Sequence, residues 1–411
     1  MMLRGKNVLV GVTGSIAIYK TLELIRLFIK ENANVKVIMT DAAKKFVTAL
    51  TFETISQQVV LDESSESWDK QSINNHIEIG KWADIFVIAP ASANTINKLS
   101  CGITDNLLTQ TALAYIKTKV IAPAANTNMI QNPITLQSLQ RLHTLGYKIV
   151  NSQVKELACK DIGDGAMAQP EEIFNLSIRE LIKDSYWENR EVVVSGGGTI
   201  EKIDDVRYIS NFSSGKMAAA LALALFLKGA NVTLVSSRGY KNLPLDIKVK
   251  PVQSSTEMLN ELTIALNLAK NSSDMKPYLF MAAAVSDYIP TNSKEGKLKK
   301  TNLGETWDLS LVQNSDILSS IEKDSIYSIG FKAEMDKTSA NQSAQNMVKT
   351  KQLDAVCLNI IDEENPFGSD NNVLEVIINN KYEIKELKGN KFYVSLRLLS
   401  LLKNEHEKIK V

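Results

Sequence analysis

Several groups of residues in this chain have the types and spacing that chemistry needs. Gly11-Val12-Thr13-Gly14-Ser15 and Ser195-Gly196-Gly197-Gly198-Thr199 each follow a short β-branched run. Glycine there lets a phosphate approach the backbone, and free N–H groups at a following helix start can meet it. Neither loop has the glycine spacing of a dinucleotide fingerprint, and Ser213-Ser214-Gly215-Lys216 lacks the upstream glycine and the Ser/Thr after lysine that a P-loop requires. Either loop alone reads as a tight turn; two in one chain point to ligands. His76 is one of three histidines, and imidazole is the side chain suited to general acid–base work near neutral pH. A structural role is the commoner one for a lone histidine, and His143, on a helix from Thr135 to Leu145, fits it better. Cys159 has Lys160 beside it and glycines at 163 and 165, so a thiol with a lowered pKa on a flap and a plain surface loop are both open. Lys297-Leu298-Lys299-Lys300 sits in a Gly/Ser/Asn-rich stretch, which is either a solvated loop or a cationic cover for a triphosphate. Asp287 and Asp316 fall near strand ends, where a carboxylate can hold Mg²⁺ or a ribose, or, for Asp316, cap a helix.

These groups need scaffolds, and the pattern supplies two. Val8–Val10, a glycine turn, an apolar-periodic helix from Ile16 to Lys30 and a strand from Val35 to Thr40 form a βαβ opening. Val192–Val194, a glycine turn, a periodic segment and Asn231–Ser237 repeat it, so two doubly wound α/β domains are expected, with a boundary at 188/189. The second copy carries about 13 more residues between strand and helix, Thr199 to Asn211, well beyond the usual βα loop. Open α/β sheets bind ligands at that end, so this insertion reads as part of a site. A helix from Asp41 to Leu50 with Asp41 as N-cap, buried strands at Ile85–Ala89 and Val120–Ala122, and a polar junction over 183–190 follow. Strands at Leu279–Ala283, Ser328–Phe331 and Ala355–Asn359, then a hairpin turning at Asn379-Asn380, complete the second sheet with antiparallel strands. The end reads as a helix from Ser395 to Leu402 with a solvated, charged tail that includes His406.

Composition narrows the classes. The chain has 411 residues, 47 Lys+Arg against 46 Asp+Glu, and 44% hydrophobic residues. It can bury two cores, and it has no basic excess to attract nucleic acid. No secretory leader is read at the start and no apolar run is long enough for a membrane, which makes the cytoplasm the expected location. Three cysteines, Cys101, Cys159 and Cys357, are too scattered for a disulfide framework, and Cys101 and Cys357 read as structural.

The motifs together resemble known families. NHIEIGKWAD, PASANT, PAANTNM and LACKDIGDGAMAQP are similar to the flavin-containing cysteine decarboxylases, and DVRYISNFSSGKM, AAAVSDY, KLKK, GFKAE and FGSDNN to the phosphopantothenate–cysteine ligases. Their order in one chain resembles the bifunctional coenzyme A biosynthesis family. The resemblance implies a flavodoxin-like first domain and a Rossmann-like second domain with an added antiparallel hairpin. It implies two reactions: CTP-dependent ligation of cysteine to 4′-phosphopantothenate through an acyl cytidylate, then FMN-dependent decarboxylation of the product to 4′-phosphopantetheine, with Mg²⁺ accompanying the nucleotide.

Carried onto this chain, the resemblance makes His76 the base of the decarboxylase, Asn126 the holder of the substrate carboxylate and Cys159 the proton donor on a flap. Gly14, Ser15, Thr40, Ser92, Asn94, Asp105 and Asn106 would hold FMN. In the ligase, Asn211 would support the acyl-cytidylate stage and Lys297 would bind CTP, with Met281, Ala282, Ala283, Asp287, Ser315, Asp316, Ile317, Leu318, Phe331 and Lys351 shaping the cytidine pocket. Trimeric decarboxylase domains and dimeric ligase domains, building a dodecamer, are implied as well. The chain departs from the family at Ser195–Thr199, usually Thr-Ala-Gly-Pro-Thr, at Asn359-Ile360, usually Asn-Asp, and at Lys332 and Met335. Met347 stands where many relatives have a second nucleotide-contacting lysine. A non-catalytic flavin-binding regulatory subunit is the alternative, against which the intact ligase half counts; a nicotinamide dehydrogenase lacks its fingerprint.

Overall fold

The run NVLVGV, Asn7–Val12, is buried in all but its first residue, as a strand covered on both faces must be. It is β1 of a five-stranded sheet with β2 (Asn34–Met39), β3 (Ile85–Ala91), β4 (Lys119–Pro123) and β5 (Lys148–Ile149), in the order β2-β1-β3-β4-β5. All four pairings are parallel. This is the flavodoxin-like order, which reverses between β1 and β3 and opens a ligand crevice there. A separate two-stranded ribbon, β6 (Gln153–Glu156) and β7 (Ile162–Ala166), follows.

The computed structural model describes residues 2–67, 74–156, 162–299, 305–363, 365–379 and 384–408, and divides into two compact units, Met1–Ile182 and Lys183–Val411. The second unit is built on β8 (Glu191–Gly196). The inserted loop carries a small hairpin, β9 (Glu201–Lys202) with β10 (Tyr208–Ile209). The main sheet continues with β11 (Asn231–Ser236), β12 (Lys248–Pro251) and β13 (Tyr278–Met281); β14 (Tyr288–Pro290) and β15 (Leu311–Gln313) form a ribbon of their own. The sheet is completed by β16 (Tyr327–Glu334), β17 (Ala355–Ile360), β18 (Asn371–Ile378) and β19 (Lys385–Asn390), in the order β12-β11-β8-β13-β16-β17-β18-β19. It is parallel through β17; β18 and β19 add antiparallel. The order reverses between β8 and β13, the Rossmann-like switch point. The expected turn at Asn379-Asn380 falls partly outside the described residues.

The helix KMAAALALALFL, Lys216–Leu227, is apolar nearly all round, so it must be covered on more than one side. It packs on β8 and β11 and also against the last helix, Lys391–Lys408. That last helix differs from expectation. It is longer than Ser395–Leu402, and its end is not solvated: Glu405 and His406 are buried. The cause is an aromatic floor at the starts of β13 and β16, where His406 stacks on Tyr327 with ring centroids 4.0 Å apart and hydrogen-bonds Tyr278. The segment 183–190 gives this floor Trp187, fully buried against Tyr278 despite its polar neighbours.

Two further expectations are corrected. The single helix from Asp41 to Leu50 is two, Asp41–Lys44 and Ala49–Ser56. Thr40, not Asp41, is the N-cap: it is extended, and its Oγ1 accepts from Ala43 N. Thr48 is extended again and precedes the second helix, without a side-chain cap hydrogen bond. Cys357 is buried in β17 and its thiol is pushed up by burial, whereas Cys101, at the end of the helix Ala93–Cys101, is exposed and packs no core.

Candidate active sites

In the first unit a cavity of about 1010 Å³ opens at the carboxyl ends of β1 to β4. Gly14, Ser15, Thr40, Ser92, Asn94, Asp105 and Asn106 all line it, and so does Asn126. Each is placed by local chemistry. A Cβ on Gly14 would lie 2.7 Å from Ala42 Cβ, so only glycine lets the first loop pass under the helix that Thr40 caps. Thr13 Oγ1 donates to Pro90 O at 2.7 Å and accepts from Ser92 N at 2.9 Å, which joins the ends of β1 and β3. Ser92 then caps Ala93–Cys101 through Thr95 N, and Asn106 caps Leu107–Ala114 through Thr109 N at 2.9 Å. Asp105 is 2.6 Å from Lys98, which holds its carboxyl below the usual range.

Asn126 Oδ1 caps the turn Thr127–Ile130 by accepting from Asn128 N at 2.9 Å. The β6–β7 ribbon reaches the same wall: Ala125 N donates to Gly165 O at 3.1 Å, and a Cβ on Gly165 would sit 2.2 Å from Ala125 O. Lys20 Nζ donates to Met167 O at 2.7 Å. Cys159, between β6 and β7 in the sequence, lies outside the described residues.

His76 opens the helix His76–Trp82, whose N-cap Asn75 accepts from Ile77 N at 3.1 Å and Glu78 N at 2.9 Å. It does not line the cavity. Its Nδ1 lies 2.8 Å from Glu66 Oε1, and both side chains are largely buried. Glu66 was not singled out from sequence; an acid ten positions upstream in a polar stretch carries no signal of its own.

In the second unit a cavity of about 480 Å³ lies at the β8/β13 switch point. Asn211, Met281, Ala282, Ala283, Asp287, Ser315, Asp316, Ile317, Leu318, Phe331 and Lys351 line it, as does Met347; Lys297 does not, and is exposed. Asn211 Nδ2 donates to Val285 O at 2.9 Å, so the inserted loop is fastened to the end of β13. Asp316 caps Ile317–Ser320 through Ser319 N and pairs with Lys351 Nζ at 2.6 Å. Burial pushes its carboxyl up, but Lys351 and the Ser319 N–H outweigh that and hold it below the usual range.

The inserted loop has a hub that sequence reasoning did not assign, Asp204. Its Oδ1 accepts from Val206 N at 2.8 Å and Arg207 N at 2.7 Å, its Oδ2 from Arg207 Nε at 3.0 Å and Leu298 N at 3.2 Å. Burial would raise the carboxyl, yet these donors bring it down to about 2. Arg207 Nη2 donates to Leu298 O at 2.6 Å, and Asp205 Oδ2 accepts from Gly296 N at 2.7 Å. The insertion thus grips both neighbours of Lys297, a contact across some 90 positions that no local pattern reveals.

Residues 1–182 match the flavoprotein family model, and residues 187–405 the model of the DNA/pantothenate metabolism flavoprotein C-terminal domain. The chain is 37% identical over 397 residues to the coenzyme A biosynthesis bifunctional protein CoaBC of Haemophilus influenzae, covering 95% of each. It is 35% identical over 382 residues to CoaBC of Escherichia coli, covering 92% of this chain and 91% of that one. Among solved structures, a PPC decarboxylase mutant complexed with pantothenoylaminoethenethiol is 36% identical, with 42% of this chain and 97% of that chain covered and a TM-score of 0.39. The C-terminal domain of a CoaBC protein is 26% identical, with coverage of 55% and 100% and a TM-score of 0.44.

Proposed function

The chain belongs to the family of bifunctional coenzyme A biosynthesis proteins, and from that premise we propose that its second unit joins cysteine to 4′-phosphopantothenate using CTP and its first unit decarboxylates the conjugate on FMN. One observation supports the reading: the residues expected to hold FMN together with Asn126, and those expected to shape the cytidine pocket together with Asn211, line two separate cavities, each at the switch point of its own sheet, although His76 and Lys297 line neither.

In the ligase, Lys351 and Asp287 lie where a cytidine nucleotide enters, and Asn211 stands where the substrate carboxylate attacks the α-phosphate. Pyrophosphate leaves as the acyl cytidylate forms; the cysteine amine then attacks the acyl carbon and CMP departs. Mg²⁺ enters with the triphosphate, as is usual for a cation that keeps phosphate and water ligands. Lys297, whose two neighbours the inserted loop holds, would supply charge to the leaving pyrophosphate.

In the decarboxylase, the Gly14 turn and the caps Thr40, Ser92 and Asn106 give FMN a cradle that a side chain at position 14 would fill. FMN bound there would supply a two-electron oxidant for the cysteine side chain and, once reduced, return the hydride. Asn126 holds the carboxylate that leaves as carbon dioxide, His76 takes the proton during oxidation, and Cys159 returns one to the ene-thiolate. Because His76 stands outside its own chain's cavity, the reading includes a trimer in which His76 serves a neighbouring subunit's flavin. Dimeric ligase units would extend the trimers to a dodecamer. No helix among the described residues is long and apolar enough to cross a membrane, and the protein is taken to work in the cytoplasm.

The deciding experiment is mass spectrometry of products from purified protein with 4′-phosphopantothenate, cysteine, CTP and Mg²⁺. 4′-Phosphopantetheine is expected, with the cysteine conjugate accumulating in His76→Asn. No conjugate with any nucleotide overturns the ligase assignment.

A further inference from the structure

The ribbon of β6 and β7 carries a bulge. Gln153 pairs with Ala166 and Val154 with Asp164, so Gly165 is an extra residue with no partner on β6. Its carbonyl turns instead to Ala125 N at 3.1 Å, and a Cβ at 165 would lie 2.2 Å from Ala125 O, so only glycine permits the approach. Two residues earlier, a Cβ on Gly163 would lie 2.1 Å from Thr127 Oγ1. β7 is therefore pressed along the turn Thr127–Ile130, whose N-cap is Asn126.

Between the two glycines stands Asp164, which does not line the cavity although Gly165 and Ala166 do. Its Oδ1 accepts from Ser152 Oγ, just before β6, and its Oδ2 from Gln131 Nε2 at 3.1 Å. Gln131 closes the turn, its N donating to Thr127 O at 2.8 Å. β7 thus holds the turn at both ends: at its start by backbone, through Ala125, and at its close by side chain, through Asp164. A carboxylate suits the second task, because its two oxygens accept from two separate segments that each offer a donor. The turn needs such a hold, since a misplacement of about 1 Å in a substrate-holding group is costly to the reaction. We propose that Asp164 is a positioning residue of the decarboxylase, fixing through Gln131 the turn whose N-cap, Asn126, receives the substrate carboxylate. The inference rests on that reading of Asn126.

The test is steady-state decarboxylation of supplied 4′-phosphopantothenoylcysteine by the FMN-loaded full chain, beside inhibition by 4′-phosphopantetheine, which lacks the carboxylate. Asp164→Ala should raise the KM for the conjugate about three- to tenfold, with flavin content and the inhibition constant of 4′-phosphopantetheine unchanged. Gln131→Ala should reproduce this, and the double variant should be no worse than either, since both break one link. Asp164→Asn can still accept from Gln131 and can donate to Ser152 Oγ, so it should recover most of the loss. A wild-type KM in Asp164→Ala overturns the proposal, and so does a wild-type Gln131→Ala beside an impaired Asp164→Ala. Equal weakening of conjugate and 4′-phosphopantetheine, or loss of flavin, overturns it too, because Asp164 then supports the whole cavity and not the carboxylate holder. If wild type decarboxylates nothing, the reading of the site itself fails, a result distinct from these.

Discussion

Lys351 Nζ lies 2.6 Å from Asp316 Oδ2, so the lysine that faces the second cavity is already one half of an ion pair. A triphosphate that uses this lysine must share it with Asp316. Lys351→Met should raise the KM for CTP roughly tenfold or more while the KM for cysteine stays put. Asp316→Ala also removes the cap of Ile317–Ser320, at about 1 kcal/mol of stability, so its variant should melt earlier where Lys351→Met does not. Because Asp316 is held below its ordinary value of 3.8, its contribution is present at neutral pH and is lost only as pH falls below that value. Steady-state kinetics with each substrate varied, beside thermal melts, separates the two roles.

His406 should make the second unit acid-sensitive. Burial pushes its imidazole from 6.5 down to about 4, with Lys276 and Arg190 adding to the effect and Asp354 opposing it. The folded state therefore disfavours the proton that the unfolded chain binds, so stability falls as pH drops from about 6.5 towards 4, by about 3 kcal/mol in all. His406→Phe keeps the stack on Tyr327 and removes the titrating group. Urea unfolding across that range should show a slope in wild type and none from this source in the variant; equal slopes would sink the idea.

The doubly wound order of both sheets was readable because buried parallel strands are written as uninterrupted apolar runs ending in glycine, proline or asparagine. Ser92, Asn106 and Asn126 entered only through the motifs that resemble a known family; the fold makes each of them a helix cap as well as part of the cavity wall. Glu66 and Asp204 carry no signal of their own in the sequence, since each acquires its role from a partner brought by the fold. His406 shows the limit most clearly. A charged tail looks solvated until Tyr278, 128 positions away, is placed beneath it.

Asp204 offers a test of the inserted loop. Asp204→Ala strips four donors of their acceptor and releases the segment that carries Lys297. Ligation should slow by about ten- to a hundredfold, the scale of a misplaced catalytic group, while decarboxylation of supplied conjugate is unchanged. An equal loss in both reactions would point to general unfolding instead.

Gly14 tests the flavin cradle. An alanine Cβ there would meet Ala42 Cβ at 2.7 Å, too close to be met by side-chain rotation because Ala42 has none. Gly14→Ala should purify with little flavin, seen as loss of yellow absorbance, and retain ligation. A fully loaded variant would mean that the turn is not against the cofactor.

The Glu66–His76 pair orients the proposed base. A carboxylate only accepts, so the 2.8 Å contact at Nδ1 calls for a proton on that nitrogen and fixes the orientation of the ring. Glutamine at 66 has both a donor and an acceptor and can support either tautomer, and it carries no charge to favour the imidazolium formed during catalysis. Glu66→Gln should therefore lower kcat for decarboxylation about ten- to a hundredfold, the range typical of residues that orient a catalytic group, with flavin content and ligation at wild-type levels. Glu66→Asp keeps the charge but shortens the reach, and should fall between the two. Single-turnover decarboxylation of the purified conjugate measures this without interference from the ligase. Should Glu66→Gln match wild type while His76→Asn is inactive, the imidazole is oriented by something other than this carboxylate.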